Sequence, residues 1–186
     1  MHNSELKSAE QLSSKRVVIV GYGKSATDAA LELAKVAHST NIIFRKPRWP
    51  IPGKLAGVLS FKWGLLHRMT SALLPLYQKT SGLERVMHST GAALVWLYGR
   101  LTSLLLYFQC RLGGAFGRRT NLVPPMPIEL SGFDHTTMVP RPDFYRLVRK
   151  GMINAFRDEI ESFTDHGVTL KSHQELAADV IILATD

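Results

Sequence analysis

The chain changes its hydrophobic rhythm repeatedly. Lys15 to Val20, "KRVVIV", is a short β-branched run that stops at a glycine, which predicts a strand buried on both faces. From Ser25 to Ala37, "SATDAALELAKVA", the apolar positions Ala26, Ala29, Ala30, Leu33 and Ala37 recur at spacings of three and four, the signature of one helix face. Most of those residues are small, so the helix can lie close to a sheet. Asn41 to Phe44, "NIIF", is again a short apolar run. Strand, loop, helix and strand within about 30 residues predict a βαβ unit.

The rhythm then breaks. Arg45 to Lys54, "RKPRWPIPGK", holds three prolines and predicts no regular structure. Leu55 to Leu112 has helical periodicity. Trp63, Leu66, Thr70, Leu73 and Leu76 fall on one face, and Pro75 predicts the end of that helix. "SGLE" at Ser81 to Glu84 fits a capping box opening another. Val123 to Pro127, "VPPMP", reads as a stiff connector. "PDFYRLVRKG" predicts a short helix with Asp143 as N-cap and Gly151 near its end. The tail holds the apolar runs "MINAF", "IESF" and "GVTL", with a turn at Asp165, His166 and Gly167, and ends in a buried strand, Val180 to Ala184. The expected fold class is α/β: a Rossmann-type dinucleotide-binding domain spanning 1–186, with a helical insertion at about 53–120 and a short C-terminal β-meander.

The turn between the first strand and helix carries the chemistry. In "VGYGKSATDAA", Gly21 allows a tight turn after the strand, and Gly23 lets backbone approach a pyrophosphate. Ala26 permits close helix–strand packing. Phosphates would then meet the unpaired N–H groups and positive dipole of a helix N-terminus, with Lys24 and Ser25 in reach. The bland alternative is a tight turn with no ligand. About 20 residues on, ribose-binding sites for NAD or FAD place an acid. This chain has Arg45, Lys46 and Arg48 there, with no acid beside them in sequence. Guanidinium groups bind a 2′-phosphate bidentately, so the expected nucleotide is NADP(H); solvated surface charge is the alternative.

Composition changes the picture in one place. The chain is 45% hydrophobic and 20% charged over 186 residues, which is a globular balance. Its net charge of +8 is concentrated. Residues 45–119 carry twelve Lys or Arg and one acid, Glu84, while the remainder is mildly acidic. Such a block implies an anionic partner or an anionic surface. Gly91 to Phe108 has a single charge, Arg100, over eighteen residues. Three readings stand open: a buried helix pair, a face lying on an anionic membrane through 45–119, or a span. A central arginine costs a span about 2.5–3.5 kcal/mol. Nucleic acid is not expected, because the basic residues sit singly among leucines. The polar N-terminal stretch predicts no signal peptide, and one cysteine, Cys110, suits a reducing, cytoplasmic setting.

Taken together, these residues resemble the flavin-containing monooxygenases, a branch of the class B flavoprotein monooxygenases. "GYGKSATDAA" is similar to that family's second glycine motif, G-x-G-x-S-[AG]-x-D-x-A. "FRKPRWPIP" resembles the basic Trp- and Pro-containing segment that follows it. "DVIILATD" resembles the D-x-x-x-x-A-T-G-Y strand, with Asp186 where the family has glycine. "HNSELK" is similar to the end of the fingerprint F-x-G-x-x-x-H-x-x-x-[FY]-K, with His2 and Lys7 in register and Leu6 at the aromatic position. The resemblance implies the NADPH-binding part of a larger enzyme, with the FAD-binding N-terminal part and the C-terminal part absent. In that family NADPH reduces FAD, and the reduced flavin uses O₂ to oxygenate a small substrate at nitrogen, sulfur or a carbonyl centre. Ala184 and Thr185 would line the junction with the flavin domain.

The remaining constellations predict no catalytic residue. The histidines show no metal spacing. Tyr145 and Arg149 read as surface helix positions, Cys110 as a packing residue, and Asp158, Glu159 and Glu161 as a solvated turn. A non-catalytic membrane-surface or interaction module that retains the Rossmann fold is the alternative function.

Overall fold

The structure is a computed structural model in which residues 5–6, 8–60, 82–113, 121–126, 137–138, 141 and 143–184 are described. The expected helix around Trp63 to Leu76, the capping serine Ser81, the register of His2 and Lys7, and Thr185 and Asp186 lie outside them. The chain divides into two compact units. One comprises Met1–Arg48, Leu112–Val123 and Pro140–Asp186; the other comprises Trp49–Arg111 and Pro124–Val139.

The first unit is built on a parallel sheet. Strand β1 (Arg16–Val20) leads through helix α1 (Lys24–Leu33) to β2 (Ser39–Phe44). The βαβ unit is therefore where its periodicity puts it. The helix is shorter than expected and stops at Leu33; Ala37 falls in the turn beyond it. Ala26, Ala30 and Leu33 are fully buried, and α1 packs on β1 and β2 as the small residues allow. Further along are helix α4 (Asp143–Lys150) and strands β7 (Asn154–Arg157) and β11 (Val180–Leu183). The sheet order is β11-β1-β2-β7, all parallel. "NAFR" thus joins the main sheet and is no part of the meander, a pairing that only tertiary structure reveals. The meander itself is β8 (Ile160–Thr164), β9 (Gly167–Leu170) and β10 (Glu175–Ala177), antiparallel in the order β10-β9-β8. Asp143 opens α4 as its first helical residue instead of capping it from outside.

Three layers follow from side-chain alternation along the strands. Val18 and Ile43 point to the meander and bury Val168, Leu170 and Leu176 with it. Phe44, one residue on from Ile43, points the other way and meets Tyr22 at 4.4 Å between ring centroids. Helices α1 and α4 pack together. Tyr145 on α4 is buried against Phe144 at 5.3 Å, which corrects its reading as a surface position.

The start of the sheet is clasped by charge. The Arg16 guanidinium donates to Asp179, with Nη2 2.6 Å from Oδ1 and Nε 3.2 Å from both oxygens. The Arg16 backbone N–H adds a bond to Oδ2 at 2.8 Å. These bonds hold the Asp179 carboxyl well below the usual carboxylate range. The clasp fixes β11 against β1 in register, Val17 beside Val180.

In the second unit, Trp49–Pro50 (β3) pairs in parallel with Thr137–Met138 (β6), so part of the proline-rich segment is a short strand after all. Proline is tolerated in so short a ladder because few backbone donors are needed. The Trp49 indole N–H donates to the Met126 carbonyl at 2.7 Å. Lys54–Leu55 (β4) and Leu59–Ser60 (β5) form a hairpin where helix was expected. Ala56 and Gly57 both take positive φ there, and Gln109 clasps the hairpin through the Lys54 carbonyl and the Ala56 N–H. Helices α2 (Gly82–Ser89) and α3 (Ala92–Cys110) pack together.

Helix α3 buries Leu106 but leaves most of its large side chains exposed. Its inward face is Gly99, Thr102, Ser103 and Leu106, spaced three, four and seven apart. Its outward residues include Leu94, Trp96, Leu97, Leu101, Leu104 and Phe108, with Leu94 71% exposed. The buried-pair reading of this segment is corrected accordingly. Arg100 stacks over Trp96 at 5.4 Å on that outward side. Among the described residues, no helix is long and apolar enough to cross a membrane, which removes the spanning reading for α3.

Candidate functional site

The carboxyl ends of the parallel strands make one edge, tied strand to strand by backbone bonds. The Ala184 N–H donates to the Val20 carbonyl at 2.9 Å, Gly21 to Ile43 at 2.9 Å, and Asp158 to Phe44 at 3.0 Å. This edge includes the point where strand order reverses, β2 lying on one side of β1 and β11 on the other. Ligands of open α/β sheets bind in the crevice beyond such a reversal.

The glycine turn sits there for local reasons. Gly21 has φ +131°, a conformation that side-chain-bearing residues rarely adopt. Gly23 is the N-cap of α1 and has no side chain to cap it. The first helical bond is Thr27 N–H to the Gly23 carbonyl, 3.1 Å. The N–H groups of Lys24, Ser25 and Ala26 therefore have no acceptor within the helix, and the helix dipole adds positive potential at the same point. Ala26 is fully buried, as close packing requires.

Two residues that hold this turn were not singled out from the sequence. Tyr22, between the two glycines, is buried and packs on Phe44, with Phe144 edge-on at 6.1 Å. It anchors the loop to the core. Thr27 is fully buried, and its hydroxyl donates to the Gly23 and Lys24 carbonyls, stiffening the first turn. An aromatic residue within a glycine turn and a threonine two residues past a serine were the available signals.

The cations are distributed differently from the expectation. Lys24 Nζ lies 2.6 Å from Asp28 Oδ2, one turn into the helix, so its ammonium is directed along α1. Arg141 continues that line, 2.6 Å from Glu32 Oε1 and 3.7 Å from Asp28 Oδ1. Ser25 is exposed in the first turn. Arg45 and Lys46 are exposed immediately after β2, and Arg48 is half-buried. The absence of an acid near Arg45 holds only along the chain. In space Glu159 faces Arg45 electrostatically, and the Lys171 ammonium bonded to Glu159 holds that carboxyl below its ordinary range, with Arg45 adding to the effect. Asp158 accepts from the Glu159 and Ser172 N–H groups. Asp158 and Glu159 are thus held by hydrogen bonds and an ion pair instead of being freely solvated, whereas Glu161 is exposed as expected. Ala184 is buried on the same edge, and Thr185 lies outside the described residues.

The fold is that of a Rossmann-type α/β protein, with its glycine turn on the carboxyl edge of the sheet. Comparison with known proteins places it further. The model of a family described as flavin-binding monooxygenase-like matches residues 1–74. The rice indole-3-pyruvate monooxygenase YUCCA1 is 26% identical over 189 residues, covering 100% of this chain and 39% of that protein. The FAD-containing monooxygenase EthA of Mycobacterium tuberculosis is 46% identical over 48 residues, 26% of this chain and 10% of that protein. Among solved structures, OTEMO with FAD bound superposes with a TM-score of 0.62 at 16% identity, covering 97% of this chain and 39% of that one. Cyclohexanone monooxygenase from Rhodococcus sp. Phi1, bound to NADP+, gives 0.58 at 14% identity over 94% of this chain and 39% of that one. The chain is similar to flavin-dependent monooxygenases along its length, and it spans about two fifths of the length of the relatives that match it throughout.

Proposed function

We propose that this chain is the NADP(H)-binding part of an FAD-dependent monooxygenase that oxygenates a small organic substrate at nitrogen, sulfur or a carbonyl centre. One observation carries the reading. A glycine turn with three unsatisfied helix N–H groups lies on the same sheet edge as the basic residues that follow β2. That donor set suits a dinucleotide pyrophosphate at one end and a 2′-phosphate at the other. Gly21, Gly23, Ser25 and Ala26 would hold the pyrophosphate, and Arg45 and Lys46 the 2′-phosphate. The nucleotide supplies a hydride when bound, and the flavin supplies the oxygen chemistry. The described residues contribute positioning: Tyr22 and Thr27 keep the turn rigid, and Ala184 closes its far side. Two proteins of the same fold, the Rhodococcus enzyme and OTEMO, have been solved with NADP bound, which supports the nucleotide assignment.

The test is a titration of the purified chain with NADPH and NADH, followed by tryptophan fluorescence, beside an Arg45→Ala variant. NADPH is expected to bind at least about tenfold tighter, a difference of about 1.4 kcal/mol, and the variant to lose most of that preference. A folded protein that binds neither nucleotide would overturn the reading.

A further inference from the structure

We propose that the outward face of α3 seats on an anionic lipid bilayer, with the helix lying in the plane of the headgroups and not crossing them. The inference is independent of the nucleotide reading and goes beyond it. On α3 the side chains of Leu94, Leu97, Leu101, Leu104, Leu105 and Phe108 are exposed. At helical spacing they fall within one arc of about 100°. The stripe from Leu94 to Phe108 is about 21 Å long at the helical rise per residue. The opposite face packs inward through Gly99, Thr102, Ser103 and Leu106. Small residues inward and leucines outward reverse the order of a helix that faces water and match that of a helix that faces lipid. The hairpin extends the surface. Gln109, one turn beyond Leu105, holds it through the Lys54 carbonyl and the Ala56 N–H, and Val58 in its turn is 87% exposed.

Charge selects the occupant. Arg100 flanks the stripe, its guanidinium 5.4 Å from the centre of the Trp96 ring. Arg111 just past the end of α3, Arg85 on α2, which packs with α3, and Lys54 on the hairpin are exposed as well. Residues 45–119 hold twelve Lys or Arg and a single acid, Glu84. A second copy on this face would set two such blocks against each other, and like charge opposes that pairing. The headgroups of an anionic bilayer supply the opposite charge along the whole stripe, while the acyl chains take up the leucines. Trp96 and Phe108, toward the two ends of the helix, suit the boundary between headgroup and chain. Arginine can lay its methylenes along that boundary and keep its charge among the phosphates. Because no helix among the described residues is long and apolar enough to cross a membrane, the contact is one of surface.

The experiment floats the purified chain with vesicles of phosphatidylcholine alone and of phosphatidylcholine mixed equally with phosphatidylglycerol, at low and high salt. Wild type is compared with Arg100→Gln and with the double variant Leu97→Gln/Leu101→Gln, with circular dichroism to establish the fold. Wild type is expected to partition at least about tenfold more strongly onto the anionic vesicles, and salt to shrink that difference. The double variant should lose at least about tenfold on anionic vesicles while staying folded. Arg100→Gln should weaken binding to the anionic vesicles and leave the neutral ones unchanged. Brominated lipid should quench the tryptophan fluorescence of wild type more than that of Trp96→Phe. A folded wild type that stays off the anionic vesicles overturns the proposal and leaves the face to a protein partner. Equal binding by the double variant reduces the contact to charge alone and also overturns it. A concentration-dependent dimer in sedimentation equilibrium that the double variant abolishes assigns the face to a second copy instead.

Discussion

Gly167 opens β9 directly after the turn at Asp165 and His166, with φ +155°. A Cβ there would lie 2.0 Å from the Leu176 carbonyl oxygen and 2.9 Å from both the Leu176 carbonyl carbon and the Ala178 nitrogen. All three are backbone atoms, so no rotamer change relieves the clash. An ordinary C···O contact is about 3.3 Å or more, so Gly167→Ala must drive β10 away by roughly 1.3 Å. That movement strains the pairing of Ala177 with Gly167 and the bond from Ala178 N–H to the His166 carbonyl. Each hydrogen bond lost costs about 1 kcal/mol. Leu176 is drawn from its cluster with Val18 and Ile43, which costs about another 1 kcal/mol if half its burial is lost. A forced positive φ adds about 1–3 kcal/mol, and the stiffer unfolded chain returns about 0.4–1. The net loss is about 3–5 kcal/mol, a large part of a domain's stability of about 5–15 kcal/mol. Urea unfolding followed by far-ultraviolet circular dichroism measures it, and hydrogen exchange across β9 and β10 localises it. A loss below about 1 kcal/mol with unchanged exchange in β10 would refute the reasoning.

Three further outcomes are expected. The Asp179 carboxyl is depressed in the folded chain by its bonds from Arg16, so its contribution is complete above the ordinary carboxylate pKa of about 4 and is lost as pH falls below it. Asp179→Asn should therefore be less stable than wild type at pH 7, and the gap should narrow steadily as the pH falls below about 4; a gap independent of pH would sink this account. In α3, Leu106→Ala should cost about 2–5 kcal/mol because that residue is fully buried, whereas Leu101→Lys on the outward face should change unfolding by no more than about 0.5 kcal/mol. Equal costs would show that the outward face is packed. Lys24→Ala removes an exposed ion pair with Asp28, so stability should fall by no more than about 1 kcal/mol and NADPH affinity by less than about threefold; a tenfold loss would mean that the ammonium swings to the phosphate.

The elements that were legible in sequence are those whose signal is local. "VVIVGYG" followed by small residues at helical spacing fixes a strand, a tight turn and a closely packed helix, because each step depends on residues within one or two turns of one another. The turn at Asp165 to Gly167 and the terminal strand are of the same kind. The hairpin after Lys54 was missed because Ala56-Gly57 lacks the Asn or Asp that usually marks positive φ. Helix α3 was misjudged for a related reason. Hydropathy says that a face is apolar but not which face is buried, and here the small residues Gly99, Thr102 and Ser103 face inward.

The candidate site divides in the same way. The sequence by itself determined the glycine turn, the free N–H groups behind it, and the basic character of the segment that follows β2. Those depend on backbone conformations and side-chain types set by neighbours along the chain. Only the tertiary structure decided what surrounds them. Pairing β7 with β2 puts Arg157 beside Phe44, and the turn into β8 sets Glu159 against Arg45, though more than 110 residues separate each pair in sequence. Charges act across space at a few ångströms whatever their spacing in the chain, so the balance of cation and anion at that edge follows from strand order and register.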